Sequence, residues 1–438
     1  MKKLLTILLI SALGGAAVQP AAYFSPKRLG MGGAGIAVVE RENSYFYNPA
    51  HAAAIKSSFH LPPLLFMPNT IYYNAETPDV INKIGRSVRG DDDNKDSKTV
   101  ETFREIIPAK LDLGSSYSAG LVFSLDNISS FALGVYGQGQ VDAKVLNRLS
   151  PRFDLTGQIY GVPALIYARE IPLESLSQEP EDPTAFSLAA VLQRLKNPLV
   201  GITFKHISRA SLYNPDKDEE ILSLEVLELL GEDATPPLSG RVGFGLGIDL
   251  GAQTGIDTPA GVVTAAVVLN NLFTTLHGTQ YEFVTSNKIL DNFEKTTYQQ
   301  TIPLTATFGL AMRVSTFANP PFQPEDEAND QPSFLSQTFK YAYGFMNFIL
   351  PDTTYAADFD FIAPDSTFFQ RLHLGLEQPY FGGLIDLRLG LNQGYPTFGL
   401  GANLGWYRVG FLYYTEELGR EIGQQPVSYY VLHSSFVF

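Results

Sequence analysis

From Arg241 to Gln253 the chain alternates without a break. Val242, Phe244, Leu246, Ile248, Leu250 and Ala252 fall on one face of an extended strand, and Arg241, Gly243, Gly245, Gly247, Asp249, Gly251 and Gln253 fall on the other. A soluble sheet has little use for a glycine row beneath so continuous an apolar row. In a membrane barrel the apolar row faces lipid, and the glycines leave room inside for a plug or a neighbouring backbone. The pattern returns where Leu304, Ala306, Phe308, Leu310 and Met312 oppose Thr305, Thr307, Gly309, Ala311 and Arg313. It returns again where Leu372, Leu374 and Leu376 oppose Arg371, His373, Gly375 and Glu377, and where Ile385, Leu387, Leu389 and Leu391 oppose Asp386, Arg388, Gly390 and Asn392. At the C-terminus Tyr430, Leu432, Phe436 and Phe438 share one face and His433 and Ser435 the other, with Ser434 interrupting the apolar row.

Strand patterns run from Phe59 to Phe438 and number about fifteen. A single-chain bacterial barrel needs an even number, so one is over-read, and Phe186 to Leu195, which also reads as helix, is the weakest. The expected fold is all-β: a transmembrane antiparallel barrel of about 14 strands with small loop helices. Polar interruptions predict loops at Ala75–Pro108, Leu173–Pro183, Asn214–Pro237, His277–Thr301 and Asn319–Ser336. Val100–Ile107 and Glu219–Leu230 carry apolar residues at helical spacing and predict helices on a barrel rim. A β-sandwich also alternates, but it needs neither an export signal nor an aromatic terminus.

Such a signal is present. Lys2 and Lys3 precede the apolar run Leu4–Leu13 and then Gly14, Gly15, Ala16 and Ala17, the three-part plan of a secretory leader, with cleavage between residues 17 and 22. That run is shorter than the roughly 20 residues of a membrane-spanning helix. The expected layout is a leader over residues 1–22, an N-terminal segment over 23–58 and the barrel over 59–438. With 31 basic and 45 acidic residues the net charge is −14, so a phosphate-facing nucleic-acid surface is not expected. There is no cysteine, which removes disulfides, thiol catalysis and thiolate metal sites together. The 30 Phe and 22 Tyr fit aromatic girdles at two membrane interfaces.

Arg28 to Ala53, RLGMGGAGIAVVERENSYFYNPAHAA, resembles the N-terminal signature of FadL-type outer-membrane proteins: a glycine-rich stretch, an acidic segment and an Asn-Pro-Ala tripeptide, here Asn48, Pro49 and Ala50. Leu372 to Pro426, together with Gly247–Leu250 and Val268–Leu272, is similar to the PorV-like and TraF-like branch of that superfamily. The resemblance implies a fourteen-stranded barrel in the bacterial outer membrane, plugged by an N-terminal hatch. It also implies either passive transport of hydrophobic or amphiphilic molecules such as fatty acids, or a scaffold or carrier role for a secretion or surface-assembly machinery. The terminal strand with Phe438 resembles the signal read by the barrel assembly machinery, so the expected partners are outer-membrane lipid, that machinery, a hydrophobic ligand and secretion-system proteins. The long Asn319–Ser336 insert departs from the family's compact spacing.

Gly30, Gly32 and Gly35 match G-x-G-x-x-G, yet no buried strand precedes them, so a dinucleotide cofactor is not expected. In the hatch reading Gly30, Gly32, Gly33 and Gly35 serve close backbone approach, and Asn48 acts as a structural staple before Pro49 and Ala50. The six histidines have no ligand spacing, so no metal is expected, and no G-x-S-x-G elbow supports a hydrolase. By face parity Arg241, Asp249, Arg313, Arg371, Glu377, Asp386, Arg388, Arg408 and Glu416 are expected to line one lumen of mixed sign. They would act either as a salt-bridged interior holding the hatch or as an arginine cluster for a carboxylate head group.

Overall fold

The computed structural model describes residues 23–63, 67–80, 82, 109–146, 152–173, 195–214, 220–225, 238–258, 261–283, 296–314, 334–362, 367–417, 419 and 421–438. The leader and Val100–Ile107 lie outside the described residues, as does Phe186–Leu195 apart from Leu195, which forms one isolated bridge to Ile256.

Seventeen strand segments make one sheet. They are β1 (Ser58–Leu61), β2 (Thr70–Asn74), β3 (Ala109–Ser124), β4 (Ser129–Leu146), β5 (Arg152–Glu170), β6 (Leu199–Leu212), β7 (Leu222–Glu225), β8 (Leu238–Thr258), β9 (Gly261–Phe283), β10 (Thr296–Thr301), β11 (Thr305–Val314), β12 (Thr353–Ile362), β13 (Leu372–Tyr380), β14 (Ile385–Asn392), β15 (Tyr395–Leu404), β16 (Tyr407–Glu417) and β17 (Pro426–Val437). Three positions in the wall are shared by two segments each. β1 and β2 both lie between β17 and β3 and close the barrel. β7 continues from β6 along β5, and β10 and β11 both pair with β9. Seventeen segments less these three give fourteen antiparallel staves. The barrel thus leaves no open edge, so no strand is left to template pairing with another chain.

Two local expectations are corrected. Within Glu219–Leu230, Leu222–Glu225 is a strand and not a helix: it pairs with Arg152–Leu155 of β5, and Leu222 is buried with Val141, Ala143 and Leu155. Within His277–Thr301, β9 continues to Phe283 and β10 begins at Thr296, so much of that loop is wall. The polar residues there mark strand ends beyond the apolar band, where the ladder continues without a greasy face.

The expected inside-outside parity holds along β8 and β17. Leu246 is 72% exposed on the outer face while Asp249 is 2% exposed on the inner one, and Leu432 and Phe438 point outward as Ser435 is buried. The C-terminus, the start of β1 and the β13–β14 and β15–β16 turns share one end of the barrel, the terminal rim. A helix that no pattern had suggested, Phe334–Ile349, also sits at this rim, between β11 and β12.

Residues 23–57 fill the interior. Ser25 caps helix α1 (Pro26–Gly30) by accepting the Arg28 amide at 3.4 Å, and Pro26 opens it where its missing N–H is harmless. A 3-10 turn at Ser44–Phe46 and helix α2 (His51–Ile55) follow; the rim helix is α3. Tyr45, Phe46, Ala52 and Ile55 pack with Tyr136, Val162, Ile166 and Ile207 of the wall, while Met31, Ile36, Val38 and Tyr47 pack with Ala266, Val268, Ala311 and Ala356. The glycine row of β8 serves two purposes. Gly251 admits Asn48 and Pro49 of the hatch, but Gly243 and Gly245 admit Tyr298 and Leu276 from the neighbouring wall.

Candidate functional site

The hatch is held by backbone closeness and by charge. Gly32 (φ +68°) lies so near β13 and β14 that a Cβ would stand 2.5 Å from Leu391 N and O and also meet Leu374 O. Gly33 and Gly35 also have positive φ, and a Cβ at Gly30 would come to within 3.5 Å of Arg388 and Gly399. Asn48 stands at the turn that leads into α2. Its Nδ2 donates to Ile36 O at 2.8 Å and its Oδ1 accepts from Ala50 N at 3.1 Å, fixing the turn at Pro49 into α2. Behind it His51 donates from Nε2 to Gln253 Oε1 at 2.6 Å, and burial pulls its imidazole down to about 4, so it stays neutral. Asp358 of β12 accepts Gly35 N at 2.8 Å and Ile36 N at 3.0 Å and faces Arg28 at 3.5 Å.

The nine charges singled out from sequence do not line one lumen. Glu377, Asp386, Arg388 and Arg408 gather around a cavity of about 240 Å³ between the hatch and β13–β17, towards the terminal rim. There Lys27 binds Glu377 at 2.7 Å, Arg388 binds Glu377 at 2.7 Å and Asp386 at 2.9 Å, and Arg408 approaches Glu42 at 3.4 Å. Burial pushes the Glu42 carboxyl up, but His433 and Arg408 outweigh it and hold the group well below the usual carboxylate range. Beside it, burial leaves Glu40 raised, with Lys27 opposing the shift. Both arginines are already neutralised, which favours a salt-bridged hatch support over an arginine cluster for a carboxylate. Glu416 faces a different cavity. Arg241 stacks over Tyr213 at 3.5 Å, Arg313 is exposed at the terminal rim, and Arg371 lies in a 3-10 turn at the other rim. Parity assigns a face, not a height, and both rim arginines satisfy it without entering the lumen.

On the other side of the hatch is a vestibule of about 250 Å³, walled by Phe24, Tyr72, Tyr414 and Tyr429 and edged by Arg28, Gln138, Gln140, His373 and Glu416. Phe24 stacks on Tyr72 with ring centroids 5.0 Å apart, and Arg28 Nε is buried without a hydrogen-bond partner. The hatch therefore separates a polar chamber from an aromatic vestibule. Its own charges, Lys27, Arg28, Glu40 and Glu42, were not singled out from sequence, nor was Asp358. The inward parity of Asp358 with Thr354 and Ala356 would have found it.

The wall has a defect at mid-height. Opposite Leu246 and Ile248 of β8, β9 carries extra residues. The register shifts twice there, and Asn271 (φ 63°) and Phe273 (φ 54°) take left-handed backbone. Phe273 is thrown outward, 93% exposed. Two staves away Pro163, which has no N–H, interrupts the β5–β6 ladder. Between the two lies a cleft of about 660 Å³ lined by Leu133, Leu165, Phe204, Leu246, Ile248 and Phe273. Directly behind it Lys205 Nζ binds Asp249 Oδ1 and Asn271 Oδ1, each at 2.8 Å, and Asp249 also accepts Asn271 N at 2.8 Å. The Lys205 and Asp249 side chains are 1% and 3% exposed, so Lys205→Met would strand a buried carboxylate at a cost of roughly 3–5 kcal/mol. The expected result is a clear fall in the temperature at which the barrel loses its detergent-resistant fold. An unchanged temperature would show that the pair does not hold the defect.

No protein-family model matches the sequence, and no curated protein matches it. Among solved structures the chain is similar to the toluene transporter TbuX of Ralstonia pickettii (11% identity, TM-score 0.43, covering 96% of this chain and 98% of that one). It is also similar to a FadL homologue of Pseudomonas aeruginosa (10%, 0.42, 97% and 99%) and to the CymD monoaromatic hydrocarbon channel (12%, 0.41, 96% and 98%).

Proposed function

We propose that this barrel resides in the bacterial outer membrane, with its terminal rim towards the periplasm, and passes hydrophobic or amphiphilic molecules sideways through its wall. The observation that carries the reading is the apolar cleft at the β5–β9 defects. The axial path is filled by the hatch, while the cleft opens on the outer, lipid-facing surface and has a cation behind it. The apolar part of such a molecule would lie along Phe204, Leu246 and Phe273; the Lys205 ammonium behind them is already held by Asp249 and Asn271, so an acidic head would find its donor further in, at Arg28 Nε in the vestibule. The FadL-type resemblance of Arg28–Ala53 supports this reading, and recognition of the Phe438 strand by the assembly machinery belongs to the same proposal. A second reading, a PorV-like scaffold for secretion machinery, draws on the density of ion pairs that fix the hatch.

The test uses proteoliposomes and two probes, a long-chain fatty acid and toluene. Leu246→Trp with His206→Trp fills the cleft from its exposed side, so the wall itself is left intact. Uptake is expected to fall about tenfold, equivalent to about 1.4 kcal/mol of cleft affinity. Uptake equal to that of the parent protein in a folded variant would refute lateral passage and favour the scaffold reading.

A further inference from the structure

Helix α3 carries an aromatic face that the described protein leaves mostly exposed. Tyr341, Phe345 and Phe348 recur at i, i+4 and i+7, which places them on one stripe of the helix. They are 77%, 63% and 54% exposed, and Met346 lies beside them, 37% exposed. The sixteen residues Phe334–Ile349 contain one charged residue, Lys340. In water such a face would be an aggregation liability. The helix, however, is not in open space. Phe348 packs on Gly382 in the turn between β13 and β14, beside Phe381 and Leu384, which are themselves 46% and 45% exposed on the barrel's outer surface. The same rim continues through Trp406 in the next turn and on to Phe436, Phe438 and Phe59, which form one chain of ring contacts. Aromatic side chains gathered at one height of a membrane barrel mark the interface between acyl chains and head groups.

We propose that α3 is an interfacial anchor that lies in the leaflet at the terminal rim and extends the barrel's aromatic girdle outward over the lipid. Its occupant is the phospholipid interface: the exposed stripe is continuous with the lipid-facing girdle through the Phe348–Gly382 contact, and it has the aromatic, nearly uncharged composition that the interface accepts. The inference rests on the membrane location proposed above. It does not rest on transport, since a scaffold barrel would need the same anchor.

The protein contains no cysteine, so a single introduced thiol is labelled without background. Phe345→Cys and, separately, Tyr341→Cys carry an environment-sensitive fluorophore in the full chain, reconstituted in nanodiscs of phosphatidylethanolamine and phosphatidylglycerol. Leu432→Cys on the outward face of β17 serves as the reference for a lipid-facing site. The expected result is a blue-shifted emission at both helix positions. Head-group and shallow-chain spin-labelled lipid should quench it, and aqueous iodide should leave it almost untouched. Iodide quenching without lipid quenching at α3, with Leu432→Cys still quenched by lipid, would overturn the anchor alone. Iodide quenching at all three sites would overturn the membrane location itself. Protection from both quenchers would show a protein partner on the stripe, which also overturns the proposal.

Discussion

Gly32→Ala is expected to prevent the hatch from seating, whereas Gly161→Ala should leave the protein as stable as before. At Gly32 the backbone is left-handed, and a methyl group would overlap Leu374 O and both the amide and carbonyl of Leu391. These atoms belong to the ladder that joins β13 to β14. They cannot withdraw without breaking it, so the left-handed penalty of about 1–2 kcal/mol adds to a larger steric one, and a total above about 4 kcal/mol is expected. At Gly161 the strand backbone is ordinary, and an added methyl group would meet nothing within 4 Å. The two substitutions are the same chemistry in two environments. Thermal loss of the detergent-resistant barrel, read beside protease cleavage within residues 23–57, separates them. Equal behaviour would mean that the close approach at Gly32 is not a constraint on seating.

The wall was legible because a closed barrel with a filled interior enforces parity: one greasy face points outward for much of each stave, so β8, β11, β13, β14 and β17 announce themselves. Where that pressure ends, so did the reading. His277–Phe283 and Thr296–Thr301 extend the ladder past the apolar band with polar residues on both faces and therefore look like loop. Leu222–Glu225 is too short to show whether its leucines repeat at two or at nearly four. The interior was legible in kind, as glycines and mixed charge, but not in pairing. Arg28 meets Asp358, Lys27 meets Glu377 and Arg408 meets Glu42, partners more than three hundred residues apart that only barrel closure brings together. The wall defect leaves a faint mark in the sequence, two consecutive asparagines within the β9 pattern. Asn271 is among the few residue types that accept a left-handed backbone inside a strand.

Asp358→Ala is expected to unlatch the hatch while the barrel stays closed. The Asp358 side chain is fully buried, and its Oδ2 holds the Gly35 and Ile36 amides and stands against Arg28. Removing it strands two backbone donors and a guanidinium inside the lumen, at a cost of roughly 3–5 kcal/mol. The wall loses only an inward side chain, because the backbone ladder from β11 to β12 does not depend on it. The loss therefore falls on hatch seating. Faster exchange of the Gly35 and Ile36 amides should appear together with long-lived openings in planar bilayers that the parent barrel is expected not to show. Asp358→Asn keeps an oxygen for the two amides and removes only the charge facing Arg28, so it should exchange more slowly than the alanine variant. If Asp358→Ala leaves both exchange and conductance unchanged, the ion pairs around Glu377 and Glu42 hold the plug without this latch. A plug fixed that redundantly would favour the scaffold reading over passage.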